Sequence, residues 1–153
     1  MNNKLFENAN YKQITQHYIS DTLAILFEQN MHFSIICDVK YLEFEPQLPH
    51  EIYEQFGSNV LFSLSGYTYD SAKIDEGYFV FEAGFGKDNF GAVVAMPLLA
   101  IKQLIVDETP ILINITTPQH EHKRDEEGIN NSMTMLLNNP ENQKLLNKVK
   151  KGD

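Results

Sequence analysis

Tyr78-Phe79-Val80-Phe81-Glu82-Ala83-Gly84-Phe85, the loop Gly86-Lys87-Asp88-Asn89, and Ala92-Val93-Val94-Ala95-Met96-Pro97 decide the fold. The first run alternates, with Phe79, Phe81, Ala83 and Phe85 on one face, which is the period of a half-buried strand. Ala92 to Met96 is a second strand, ended by Pro97 because proline has no N–H for the ladder. Gly84-x-Gly86 starts like a phosphate loop, but the third glycine, the lysine and the following helix are missing. Gly84 therefore reads as a strand position that needs a bulge or a close backbone approach.

Outward from this pair, other short strands follow the same logic. Val60 to Leu64 is a strand begun after Gly57, and Phe33 to Val39 is one partly buried on both faces. Tyr41 to Glu45 continues it, and Pro46 and Pro49 bracket a turn. Leu98 to Val106 reads as a short helix, and Ile111 to Ile115 as the last strand. Tyr11 to Asn30 changes the period to that of a helix, with Ile14, Tyr18, Ile25 and Leu26-Phe27 on one face and Leu23 near its edge. The spacing predicts a helix over 11–29 with Asn10 as its N-cap. One helix followed by five or six closely spaced strands predicts a mainly β fold: a small, curled antiparallel sheet or barrel with the helix packed on it.

The chain has 153 residues, 42% hydrophobic and 22% charged, enough for one domain with a core. No apolar run reaches the roughly 20 residues that span a bilayer. The polar stretch Met1 to Asn10 reads as no secretory signal. A single cysteine, Cys37, fits a reducing cytoplasm. Net charge is −9, from 12 basic and 21 acidic residues, which argues against binding driven by nucleic-acid phosphates. The charge divides the chain. Residues 1–116 carry the acid and form the expected domain, 117–143 read as a flexible linker, and 144–153 form a small basic tail.

Chemistry-bearing groups are sparse. His120 and His122 are the one close histidine pair, but zinc needs a third ligand and usually a fourth, and no metal site is expected. Cys37 lies within Ile35-Ile36-Cys37 and reads as a buried apolar residue, not a thiolate. No serine lies in a Gly-x-Ser-x-Gly turn. The pairs Asp75/Glu76 and Glu43/Glu45 read as solvated surface. The Phe79, Phe81, Phe85 and Phe90 rings resemble a base-stacking platform, but only Lys73 and Lys87 flank them, so RNA binding is disfavoured. The expectation is a binding protein without cofactor, not an enzyme.

The run Phe81-Glu82-Ala83-Gly84-Phe85-Gly86, followed by Val94-Ala95-Met96-Pro97-Leu98-Leu99-Ala100-Ile101, resembles the SspB (stringent starvation protein B) family. Further pieces lie in the family's order: Ile35-Ile36-Cys37-Asp38, then Phe44-Glu45-Pro46, then the strand after Gly57, all behind the leading helix. The resemblance spans about residues 11–115. It implies an Sm-like or SH3-like antiparallel β-barrel with a flexible C-terminal tail. It also implies an adaptor that binds ssrA-tagged polypeptides and delivers them to the ClpXP protease in the cytoplasm. The implied peptide groove is lined by Leu61, Phe62, Ser63, Leu64, Ala83, Gly84 and Phe85. The implied tail motif for the N-terminal zinc domain of ClpX is Leu145, Leu146, Val149 and Lys150. A homodimer through the helix would use Ile14, His17, Tyr18 and Asp21. This chain has Glu82 and Gly84 where the family has asparagine and arginine, and Ser63 where it has asparagine. The alternative is an acidic peptide-binding chaperone or another small-barrel interaction module.

Overall fold

The computed structural model describes residues 4–118. Apart from Thr117 and Pro118, the linker expected over 117–143 and the tail expected over 144–153, with His120, His122, Leu145, Leu146, Val149 and Lys150, lie outside the described residues.

A short helix α1 (Lys4–Glu7) breaks at Asn8 and resumes as α2 (Ala9–Glu28). The cap is Asn8 and not Asn10: its backbone is extended, and its side chain accepts the Tyr11 N–H at 3.0 Å. The helix ends where Asn30 turns left-handed at φ 56, with Asn30 N–H bonded to Phe27 and Met31 N–H to Leu26. The face that enters the core carries Ile19, Leu23 and Leu26. Ile14, Tyr18 and Ile25 are each more than half exposed. That corrects the sequence expectation. Both stripes are apolar at helical spacing, and periodicity alone does not say which one meets the sheets.

Among the described residues eight strands follow, in two antiparallel sheets. One contains β1 (Phe33–Asp38), β3 (Asn59–Leu64), β7 (Ile101–Val106) and β8 (Thr109–Ile113), in the order β3-β1-β7-β8. The other contains β2 (Glu43–Glu45), β4 (Lys73–Asp75), β5 (Tyr78–Phe85) and β6 (Phe90–Pro97), in the order β2-β6-β5-β4. Tyr41 to Glu45 does not continue β1. A 3-10 turn over Val39–Tyr41 hands the chain to the other sheet. The short helices α3 (His50–Tyr53) and α4 (Gly66–Ser71) and the strand β4 carry no strong periodicity and were not foreseen.

Alternation in β1 points Phe33, Ile35 and Cys37 inward, where they meet Phe62 and Leu64 of β3, Leu104 of β7 and the Phe79, Phe81, Val94 and Met96 side chains of the second sheet. Each large apolar side chain buried there contributes about 1.5–3 kcal/mol. Cys37 is fully buried, with its Sγ 3.5 Å from the Met96 Sδ. Burial, and secondarily the Asp38 charge, pushes its thiol well up, so it stays protonated and inert.

Leu98 to Val106 is not a helix. After Pro97 the chain makes one 3-10 turn, Leu98–Ala100, and then runs as β7. The misreading has a physical source. Pairing with β1 jumps from Ile36↔Gln103 to Cys37↔Ile101, so Lys102 bulges out and Ile101 and Leu104 both face the core three residues apart. A bulged strand thereby imitates helical spacing.

The buried Asn114 locks this region. Its Nδ2 donates to Leu99 O and Ile101 O, each at 2.9 Å, and its Oδ1 accepts from Thr116 N and Thr116 Oγ1, each at 2.8 Å. Asn114→Ala leaves several buried main-chain groups unsatisfied and is expected to cost about 3 kcal/mol. Urea unfolding of the variant, with an unchanged slope, measures it.

Candidate functional site

The two sheets leave backbone unpaired where their edges approach each other. β3 bonds to β1 along its whole length, from Phe33↔Leu64 to Asp38↔Asn59, and among the described residues no strand lies on its other side. β5 bonds to β6 over its full length, but β4 covers its other side only from Tyr78 to Val80. Among the described residues, Phe81 to Phe85 therefore has no strand neighbour on that side. The Phe62 ring of β3 spans the gap from within, with its centroid 5.1 Å from that of Phe81 and 6.1 Å from that of Phe85.

Helix α4 closes one end of this opening. Ser71 Oγ accepts the Glu82 N–H at 2.9 Å and donates to Thr68 O at 3.0 Å. The Glu82 peptide groups thus point to the strandless side. Residues two apart in a strand direct their peptide groups to the same side, so those of Gly84 point there too. Gly84 is exposed, and its pairing with Gly91 is regular, without a bulge. A Cβ on Gly84 would sit 1.8 Å from Asn89 Oδ1, because the left-handed Asn89 lays its side chain across the strand. The close approach expected at Gly84 comes from a side chain of its own loop.

The residues expected in the groove divide into two groups. Leu61, Ser63 and Gly84 are exposed and Ala83 is half-buried, whereas Phe62, Leu64 and Phe85 belong to the core and form the floor. On the helix, Ile14, His17, Tyr18 and Asp21 are all exposed, and with Ile25 they make one stripe along α2.

One group whose burial the sequence did not reveal stands beside the opening. Glu82 is only 4% exposed, on the face of β5 opposite the aromatic rings, between the buried Val80 and its cross-strand partner Val93. Tyr67 of α4 donates its phenol to this carboxylate. A charged residue inside an otherwise apolar strand was the available signal. Partial desolvation first, then the Glu82 charge and the hydrogen bond, push the Tyr67 phenol up to about 12. Among the described residues no three histidine, cysteine or acidic groups gather as metal ligands, and no helix is long and apolar enough to cross a membrane. No family model and no curated protein matches the chain.

The Tyr67 shift sets a pH dependence. A phenol whose folded pKa lies above the ordinary 10.0 adds stability fully present below pH 10.0, and loses it as pH rises through about 12. Tyr67→Phe is expected to flatten that alkaline loss. Chemical denaturation at stepped pH, with tyrosinate absorbance recorded alongside, checks both the slope and the late-titrating phenol.

Proposed function

We propose that this chain is an SspB-like adaptor: its sheets curl into a small Sm-like barrel whose open side holds an extended peptide for delivery to a protease. The observation that carries the reading is the free edge of β3 lying beside the strandless half of β5. An extended peptide can add to such an edge through main-chain hydrogen bonds, with side-chain contacts setting preference. Leu61 and Ser63 offer contacts on the β3 side, and the Gly84 peptide groups offer hydrogen bonds on the β5 side. Phe62 and Phe85 supply the apolar floor. The peptide is the ssrA tag on polypeptides released from stalled ribosomes, and the acceptor is the ClpX ATPase of ClpXP in the cytoplasm. Leu145, Leu146, Val149 and Lys150 would dock on the zinc domain of ClpX, tethered by residues 117–143. No bond is broken and no cofactor takes part. Two weak contacts joined by one chain act as a strong one.

A specific observation favours a second reading. Glu82 is buried beside the opening, and Gly84 stands where the family carries a cation, so among the described residues the expected groove positions 61–64 and 83–85 hold no cation for an acidic tag. That is the expected pattern of a peptide-binding module for other sequences.

Fluorescence anisotropy with a labelled ssrA-tag peptide, its scrambled control and a basic peptide separates the two. The adaptor reading expects the tag to bind best, and Leu61→Asp to weaken it about tenfold with the melting temperature kept. Removing residues 144–153 is expected to leave peptide binding intact and abolish stimulated degradation of a tagged reporter. Preference for the basic peptide would instead establish the second reading.

The stripe Ile14, Tyr18 and Ile25 on α2, edged by His17 and Asp21, supports a homodimer. Ile14→Glu with Tyr18→Glu is expected to give a monomer in sedimentation velocity, with the circular dichroism of the parent.

A further inference from the structure

We propose that residues 129–137 of this same chain dock, through one helical face, on the outer face of the sheet β3-β1-β7-β8. That face is apolar and neutral. The paired positions Leu61, Ile36, Gln103 and Ile113 run across it from β3 to β8, and Ser63, Ser34, Ile105 and Pro110 form the next row. None of these residues is charged, in a chain of net charge −9. Leu61 and Ile113 are each more than half exposed, and so is Ile115, which continues the outward alternation beyond β8. Large aliphatic side chains held in register across strands and left in water mark a surface that another element covers.

The path of the chain selects that element. The described residues end beside this sheet: the Asn114 N–H still bonds to Lys102 O of β7, and Pro118 is the last of them. The stretch 119–128 (QHEHKRDEEG) is mostly charged or polar, whereas 129–140 (INNSMTMLLNNP) holds no charged residue. Ile129, Met133, Leu136 and Leu137 stand at the i, i+4, i+7, i+8 spacing of one helical face, between Gly128 and Pro140. So short a helix is marginal alone in water and needs an apolar surface to form on.

The dimensions agree. The ten residues 119–128 can extend about 35 Å, and four strands side by side measure about 14 Å across. A helix over 129–137 is about 13 Å long, close to that width. A neutral segment on a neutral face desolvates no charge on either side. The linker expected over 117–143 is thereby divided: 119–128 returns across the sheet, 129–137 docks, and 138–143 leads on to the basic tail.

Gln103→Cys places a thiol in the middle of the covered face without removing an aliphatic contact, and the native Cys37 is buried and does not compete. Its alkylation by iodoacetamide in the full chain is compared with that of the exposed position in Lys87→Cys. Leu136→Glu with Leu137→Glu is expected to speed alkylation at position 103 about tenfold or more, with no change at position 87 and no dependence on protein concentration. An unchanged rate at position 103, or equal acceleration at both positions, overturns the proposal. Protection lost on dilution, with Leu136 and Leu137 in place, also overturns it and assigns the face to a second copy. Hydrogen exchange on the wild-type chain needs no variant: 129–137 is expected to exchange about tenfold or more slowly than 119–128. Equal exchange of the two stretches sinks the proposal even where a variant does not fold.

Discussion

The Phe62 ring is the point where the two sheets depend on each other. It stands on the outermost strand of one sheet and packs edge-on against Phe81 and Phe85 of the other. Side chains, not a hydrogen-bonded ladder, join those margins. Such packing stabilises through area and ring geometry and uses no backbone donor or acceptor. Among the described residues, the outward peptide groups of β3 and those of Gly84 have no strand partner and are left for water or for a partner. An edge of that kind is a hazard in a soluble protein unless it is short, charged or covered. Here α4 covers part of it, with Ser71 Oγ accepting the Glu82 N–H and the Tyr67 hydroxyl donating to the Glu82 carboxylate. Asn89 lies over Gly84 farther along. Polar side chains screen the opening without filling it with a strand.

How much of this was legible in the sequence depended on whether neighbouring residues settled the matter locally. β5 and β6 could be read because their inward residues repeat every second position, and β3 because its apolar run is bounded by a glycine. Cys37 could be placed in the core because its flanks are aliphatic. β7 could not be read, because the bulge at Lys102 exists only through pairing with β1, a contact distant in sequence. The buried face of α2 could not be chosen, because Ile14-Tyr18-Ile25 and Ile19-Leu23-Leu26 are equally good stripes and only the sheets distinguish them. α4 has a weak helical signature, Gly66-Tyr67-Thr68-Tyr69-Asp70-Ser71, and is held by tertiary contacts: the Tyr69 hydroxyl donates to Leu26 O, and its ring stacks near Phe27.

The candidate site followed the same division. The stretches 61–64 and 83–85 could be named from pattern, but which side chains reach the surface depends on sheet parity. That parity sends Phe62, Leu64 and Phe85 inward and leaves Leu61 and Ser63 outside. Glu82 was visible as a departure from the family's pattern, but its burial against Val80 and Val93 needed the second face of the sheet to be covered.

An edge of six residues sets a limit on what the opening can do alone. Association costs several kcal/mol in lost freedom before any contact contributes. A peptide lying on β3 can recover that through a few main-chain hydrogen bonds, each worth about 1 kcal/mol net, and through apolar contact with Leu61 and the ring floor. Affinity from such a site is modest unless a second contact is made on the same chain. The exposed stripe of α2 provides a means: two copies joined there would present two edges to a substrate, and rebinding would replace tight binding. The acid that dominates residues 1–116 then acts in the same direction, because like charges keep free edges from pairing with one another while a peptide of suitable side chains can still approach. Weak grip, repeated presentation and self-repulsion are mutually consistent properties of the proposed peptide-holding surface.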